Sequence, residues 1–425
     1  MRYGVLLLAA LACASPAAAQ DIPARLSLSE ALRLALARNP SVLSTREGVA
    51  AAEADRLGAS LRPNPAFTFE TVGKSFLQPS PRPDAHELAV RIDQEIEMGG
   101  RRRLRREVAE LGIGVAEARY ADARRRLELD VRRAYFTLAL ATAQRQVAAD
   151  AIGEIDRVIQ LNRARLQQGE ISGGELRRIQ VERLRFQDDV FASELAVRNA
   201  RGALLTLMNA PDLGAAVEAA DGFGPPDADI TAAIAIAASL RGGGLVSDPV
   251  AQRPDVVAAR GLEQQAGTQT RLQRALSRPS PTVGGGLRHD SGFNSAIVGV
   301  TIPLPLFNRN QGAVARAEAE RRQLVLLQTA IERDAALDIQ QALNAVDVNQ
   351  ERVAYIERET LTNARESRDV VLASYRLGAA NLIDFLDAQR AFRDTLRTYN
   401  DALFQQRVSL AQLAAAVGGP ARPPQ

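Results

Sequence analysis

Two kinds of hydrophobic pattern divide this chain. Four short segments alternate apolar and polar residues: 67–72, 88–93, 282–288 and 296–302. In the second of these, Leu88, Val90 and Ile92 share one face while Arg91 and Asp93 take the other. Period two is the mark of a β-strand with two unlike faces, and repeated over about ten residues it is the mark of a membrane strand. Two much longer stretches, 100–167 and 310–377, contain no proline. Their apolar residues (Val108, Leu111, Val115, then Leu127, Val131 and Leu138 in the first) recur at helical spacing. At 1.5 Å per residue, about 67 residues reach on the order of 100 Å, far beyond a globular helix, so the pattern predicts a coiled-coil or stacked-helix assembly.

The two kinds occur twice, in the same order. Asn39-Pro40 is answered by Arg253-Pro254, and Arg62-Pro63-Asn64-Pro65 by Arg278-Pro279-Ser280-Pro281. Gly169, Glu175, Leu176 and Gln180 precede Gly378, Asp384, Phe385 and Gln389 by about 209 positions. A shared order and spacing predicts an internal repeat. Each half opens with a helix, broken at Asn39-Pro40 and stopped before Pro63 in the first, and running from about 254 to 277 in the second. Proline lacks an N–H and disfavours helical geometry in the residue before it. Each long helix turns at a glycine, Gly169 or Gly378, and returns as a shorter helix. The expected organisation is a signal at 1–19, a first repeat at 20–211, a linker subdomain at 212–247, a second repeat at 248–417 and a tail at 418–425.

The N-terminus supplies a compartment. Arg2, an apolar run over 5–12 and Ala17-Ala18-Ala19 form a Sec-type signal with cleavage after Ala19. Cys13, the only cysteine, would leave with it. The alternative, lipid attachment at Cys13, lacks a leucine three positions earlier, where Ala10 stands. No later apolar run approaches the length of a membrane-spanning helix. The mature chain is therefore expected in the periplasm, outside the cell, or held in a membrane by its strands.

Composition narrows the chemistry. Of 425 residues, 46% are hydrophobic but only 4% aromatic, which suits close helix–helix contact better than a thick core. Lys+Arg total 53 against Asp+Glu 50, so the net charge of +3 describes no nucleic-acid surface. Lys74 is the only lysine, and one Cys with two His is too few for a Cys/His metal cluster or a thiol–imidazole pair. No nucleophile–base constellation or phosphate loop is visible, so the chain does not read as an enzyme and no cofactor is implied. His86 and His289 have no ligand partners in sequence. Arg101, Arg102, Arg103, Arg105 and Arg106 form the densest basic run, at a helix start that disfavours cations. Contact with lipid phosphates or carboxylates is one account, a solvated face the other.

If the strands enter a membrane they must close into a barrel, because open edges leave backbone groups unpaired in lipid. Four strands are too few, since the smallest such barrels have about eight. Two, three or four copies would each satisfy the rule, and the charged helices would extend into the periplasm as a tunnel.

Three segments carry a family resemblance. Residues 375–389, with Tyr375, Gly378, Asp384 and Asp387, resemble the second-repeat helical tip of the TolC-type outer-membrane factor family. Residues 300–308, with Pro303, Pro305 and Phe307, resemble its exit from strand to long helix. Residues 94–102, with Glu97, Gly99 and Gly100, are similar to its CzcC-like heavy-metal branch. The resemblance implies a mainly α trimer with a small membrane β part. Four strands per chain would share a twelve-stranded barrel in the outer membrane, against its lipid, above a twelve-helix periplasmic cylinder. It implies the exit duct of a tripartite pump, with a periplasmic adaptor (membrane fusion protein) and an inner-membrane RND-type pump as partners and heavy-metal cations as cargo. Multidrug efflux and type I secretion are the alternatives, and a periplasmic scaffold without a pore is the competing class.

By the same resemblance, Asp384 and Asp387 lie at the periplasmic aperture, with Glu175 at the equivalent place in the first repeat and Tyr375 or Arg178 as its candidate partner. A ring of three such acids would attract cations; acids in a first helical turn are also favourable by themselves. Arg165, Leu166 and Gly169, with Arg376, Leu377 and Gly378, resemble the tips that meet the adaptor, and they also close the helical hairpins. Family members carry an arginine latch two residues after the tip glycine, where this chain has Ala380.

Overall fold

The computed structural model describes residues 22–72, 87–241, 248–290 and 292–418. The signal at 1–19, the proline-rich connection at 78–84, His86, the glycines at 242–244 and Pro420 lie outside the described residues. A short strand β1 (Arg25–Leu26) leads into α1 (Leu28–Arg38) and α2 (Pro40–Ser60). Strands β2 (Ala66–Val72) and β3 (Glu87–Glu95) precede α3 (Arg101–Gln167), one unbroken helix of 67 residues, and its return α4 (Gly173–Leu207). Between the repeats lie β4 (Glu218–Ala219) and α5 (Ala228–Arg241). The second repeat runs α6 (Pro249–Gln252), α7 (Pro254–Leu276), β5 (Thr282–Asp290), β6 (Phe293–Thr301) and α8 (Gln311–Tyr355). A π-helical segment, Ile356–Leu361, joins α8 to α9 (Thr362–Arg376), and α10 (Leu382–Ala416) returns. No helix among the described residues is long and apolar enough to cross a membrane.

The four longer strands form one antiparallel sheet in the order β2-β3-β5-β6, with β2 and β6 at its edges. The register sorts the side chains as the alternation predicts. Phe67, Ile92, Gly285 and Val298 form one cross-strand row, and Phe69, Val90, Leu287 and Ala296 the next on the same face. The opposite face holds Thr68, Arg91, Gly286 and Ile297, then Ala66, Asp93, Gly284 and Gly299. Arg91 donates to Asp93 at 2.7 Å and lies across β5. A Cβ at Gly284 would fall on the Asp93 carboxylate, and one at Gly286 on the Val90 carbonyl. Only glycine leaves room for that ion pair. Phe67, Ile92, Leu287 and Val298 are exposed, whereas Arg91, Asp93 and Gly284 are half-buried or buried, so the apolar face is the open one.

The waist of the molecule joins the halves. Tyr135 of α3, fully buried, shares its hydroxyl hydrogen between the Leu26 carbonyl at 3.1 Å and Asp221 at 3.2 Å, and accepts the Asp221 N–H at 3.0 Å. Burial pushes its pKa up to about 12. Strand β4 pairs in parallel with β1, so the linker is stitched to the start of the first repeat. Arg132, buried, donates to Asp227 and Asp229 and fixes the entry to α5.

Three members of the basic run meet protein groups at the junction, carboxylates for Arg101 (Glu95) and Arg105 (Glu97), as one of the two sequence accounts allowed, and also backbone carbonyls, which neither account named. Arg102 donates to the Ser60 carbonyl at 2.6 Å, Arg105 to the Leu61 carbonyl at 3.1 Å and to Glu97, and Arg101 to the carbonyls of Leu276 and Arg278. They satisfy the C-terminal carbonyls of α2 and α7, where helix ends leave acceptors unpaired and favour cations. Arg103 and Arg106 remain exposed.

Candidate functional site

The distal end of the helical hairpins is built from two copies of one turn. In the first, the Gly169 N–H donates to the Leu166 carbonyl and the Glu170 N–H to the Arg165 carbonyl. In the second, Gly378 donates to Tyr375 and Ala379 to Ser374. This is the pattern of a Schellman stop, whose left-handed residue glycine adopts without strain, and φ is +78° at Gly169 and +80° at Gly378. Each returning helix is then capped by a side chain. Ser172 accepts the Glu175 N–H at 3.2 Å, and Asn381 accepts the Asp384 N–H at 2.9 Å. Glu175 and Asp384 thus occupy the same place in their turns, where acids complement the helix dipole.

The two turns are bound together by Tyr375. It is 5% exposed, stacks on Phe385 at a centroid distance of 5.3 Å, and donates from its hydroxyl to Asn162 Oδ1 at 2.7 Å. Arg165 lies over its ring at 5.4 Å and donates to the backbone carbonyls of Tyr375 at 3.2 Å and Arg376 at 3.0 Å. Around them close Ile155, Ile159, Ile179, Leu382 and Leu386. Burial raises the Tyr375 pKa, so it stays a neutral donor. Glu175 is exposed, and the tyrosine hydroxyl expected as a candidate partner goes to Asn162 instead.

The acids differ from one another. Asp387 accepts from Arg390 at 3.2 Å, and the same guanidinium holds Glu182 at 2.5 Å and 3.0 Å. Among the described residues no side chain pairs with Asp384, which is exposed. A groove of about 430 Å³ beside them is lined by Arg177, Arg178, Val181, Ile383, Asp387 and Arg390. Leu166, Arg376, Leu377, Gly169 and Gly378 are exposed at the extremity. Ala380 packs against the Tyr375 cluster, so the junction of the two turns is made by Arg165 from the first repeat rather than by a residue at 380.

Sequence reasoning missed Asn162, Asn381 and Arg390. The first had a signal, since it stands seven residues after Ile155 on an otherwise apolar stripe. Asn381 stands three residues before Asp384 at a helix start, a capping pattern. Nothing local singled out Arg390 from the other arginines. Among the described residues no group of three His, Cys, Asp or Glu side chains could hold a metal ion, and His289 bonds Asn294 at 2.7 Å.

A family model described as "Outer membrane efflux protein" matches residues 31–210 and 245–419. The chain is 24% identical over 371 residues to the cobalt-zinc-cadmium resistance protein CzcC of Cupriavidus metallidurans, spanning 86% of this chain and 83% of that one. It is 30% identical over 190 residues to the pyoverdine export outer membrane protein OpmQ of Pseudomonas aeruginosa, 42% of this chain and 38% of that one. The solved outer membrane channel CmeC of Campylobacter jejuni superposes with a TM-score of 0.79 at 16% identity, over 93% of this chain and 87% of that one.

Proposed function

The chain belongs to the outer membrane efflux protein family, and from that premise we propose that three copies form the passive exit duct of a tripartite pump for heavy-metal cations. It is an outer-membrane channel component, not an enzyme. The sheet supports closure: β2 and β6 end it with unpaired edges, its open face is apolar, and three copies would supply twelve strands. The apolar face meets outer-membrane lipid, and the helices extend through the periplasm toward an adaptor and an inner-membrane RND-type pump that supplies the energy. Arg165, Leu166, Gly169, Arg376, Leu377 and Gly378 are the surface offered to the adaptor. The cargo reading is carried by the likeness to CzcC, which runs through most of both chains. Export of an organic chelate is the second reading, favoured by the higher identity but shorter span of the OpmQ match.

The aperture reading sharpens with the geometry. Asp387 and Glu182 share Arg390, so their charge is partly spent, while Asp384 presents an unpaired carboxylate. Three Asp384 carboxylates at the constriction would draw cations to it and screen anions. In planar bilayers, Asp384→Asn lowers cation selectivity more than Asp387→Asn does, and Glu175→Gln less than either. Equal selectivity in all three variants removes these acids from the aperture. For the cargo, a strain lacking the gene is tested for tolerance of zinc, cobalt, cadmium and copper and of organic drugs. Loss of metal tolerance is expected; loss of drug tolerance alone overturns the metal reading.

A further inference from the structure

The segment between β6 and α8 leads from the sheet to the long helix and belongs to neither. It carries Ile302, Leu304, Leu306 and Phe307, separated by Pro303 and Pro305, with no charged residue before Arg309. In this chain Leu304 is 74% exposed, Leu306 66% and Phe307 91%. The segment is nevertheless held in shape. The prolines fix two backbone angles, the Leu306 N–H donates to the Leu304 carbonyl at 2.9 Å, and Asn310 donates to the Gln273 carbonyl at 2.8 Å. A fixed segment showing its largest apolar side chains to water is the signature of a contact surface.

A second uncovered apolar pair lies at the opposite edge of the same sheet. Leu57, at the last turn of α2, and Leu61, just beyond it, are 67% and 60% exposed. The backbone there is fixed as well, because Arg102 and Arg105 hold the carbonyls of Ser60 and Leu61. Both patches are at one end of the sheet, since Ala66 begins β2 at the level where β6 reaches Gly299 and ends at Thr301. Within one copy they stand on opposite edges, separated by β3 and β5. Edges β2 and β6 run antiparallel to one another. When sheets of successive copies join, the end of β6 therefore meets the start of β2, and the two patches become neighbours.

We propose that residues 302–307 of each copy form an apolar clasp over Leu57 and Leu61 of the next copy, sealing the seam where barrel becomes helical cylinder. This rests on the joining of several copies through β2 and β6. The clasp lies just outside the hydrogen-bonded edge, so it adds apolar burial where backbone pairing ends and closes the wall against leakage at that level.

Cysteine cross-linking tests it, because Cys13 is the only native cysteine. The full chain carrying Leu61→Cys with Leu306→Cys is purified in detergent and treated with a short bifunctional maleimide, while light scattering measures the number of copies. Covalent dimers and trimers are expected from the double variant and not from either single variant. A trimer by light scattering with no covalent ladder overturns the clasp and leaves the three-copy duct standing. A wild-type chain that stays monomeric and conducts nothing overturns the duct itself. A fluorophore on Phe307→Cys reports the other possible cover. Quenching by brominated lipid in vesicles would place the segment in the bilayer and also overturn the proposal, whereas protection from both lipid and aqueous quenchers is expected. Leu304→Asp with Phe307→Asp should lower the trimer fraction severalfold while the far-ultraviolet circular dichroism stays helical.

Discussion

The two hairpin tips share a backbone and differ in almost every side chain that matters. Gly169 and Gly378 make the same turn with the same pair of hydrogen bonds, and Ser172 and Asn381 cap the helices that follow. At equivalent places the first tip has Leu166, Glu175, Leu176 and Arg178, where the second has Tyr375, Asp384, Phe385 and Asp387. The turn is thus generic and the chemistry belongs to the second repeat. Its aromatic pair docks on the first, through Asn162 and Arg165, and of its two acids Asp387 accepts from Arg390 while Asp384 is exposed. A duplicated fold lets one arm serve as the seat and the other as the part that carries the site.

Truncating the two equivalent residues should break this symmetry most plainly. Tyr375→Ala removes a buried ring, its stacking on Phe385 and the hydroxyl on Asn162, and should cost about 3–5 kcal/mol of local stability. Leu166→Ala, on the exposed side of the first tip, should stay within about 0.5 kcal/mol. Hydrogen exchange of peptides covering 155–170 and 370–390 reads both. Equal protection loss in the two variants would mean that the second tip does not lean on the first.

A milder change separates ring from hydroxyl. Tyr375→Phe keeps the stacking and leaves Asn162 Oδ1 without its donor, in a site where Asn162 Nδ2 already lacks a partner. An unsatisfied buried acceptor costs about 1–3 kcal/mol, so exchange at 155–170 should accelerate even though the substituted residue lies on α9. Acceleration confined to 370–390 would show that the hydroxyl does not couple the arms.

Much of this architecture was legible in the residues. The 67-residue length of α3, the strand register that puts Arg91 and Asp93 opposite Ile92, and the stops at Pro40, Pro63, Pro254 and Pro279 all follow from local rules about periodicity and proline. The tip turns were legible because a left-handed stop favours glycine. What could not be read depends on contacts between distant segments. The arginines at 101, 102 and 105 violate the rule for their own helix and satisfy the rule for the ends of α2 and α7, which sequence does not place beside them. The pairing of β1 with β4 involves two residues on each side, too few for any pattern. The π-helical turn at 356–361 is written in ordinary helix formers, Ile356 to Leu361, and its register depends on packing by α10, where Tyr399 donates to Glu357 at 2.6 Å.

The waist repeats the lesson of the tips. Asn39 and Arg253 stand at the same place, each just before a helix that starts with proline. Asn39 caps α2 by accepting the N–H groups of Ser41 and Val42, and donates to the Leu207 carbonyl at 2.9 Å. Asn39→Ala should therefore destabilise the first waist by about 1–2 kcal/mol, measured as the urea midpoint of protease resistance in the detergent-solubilised protein. The loss should not depend on pH, because no charge is involved.

Arg253 does its work by charge instead, which gives the smallest and most selective test. It is buried and holds Asp255 at 2.6 Å and Asp338 at 3.0 Å. Burial alone would raise the Asp255 pKa, but the hydrogen bond and charge of Arg253, with Arg125 nearby, outweigh it and hold the carboxyl below its ordinary 3.8. A carboxyl with a depressed folded pKa contributes stability that is fully present above the unfolded value and disappears as pH falls through the folded one. Acidification below 3.8 should thus loosen α7 before it loosens α2, and hydrogen exchange along 254–276 against 40–60 reads the difference. In Asp255→Asn the acid-side change along α7 should flatten, while α2 keeps its profile. If α2 and α7 instead loosen together in the wild type, the two waists share one electrostatic fate and the division of labour between the repeats is confined to the tips.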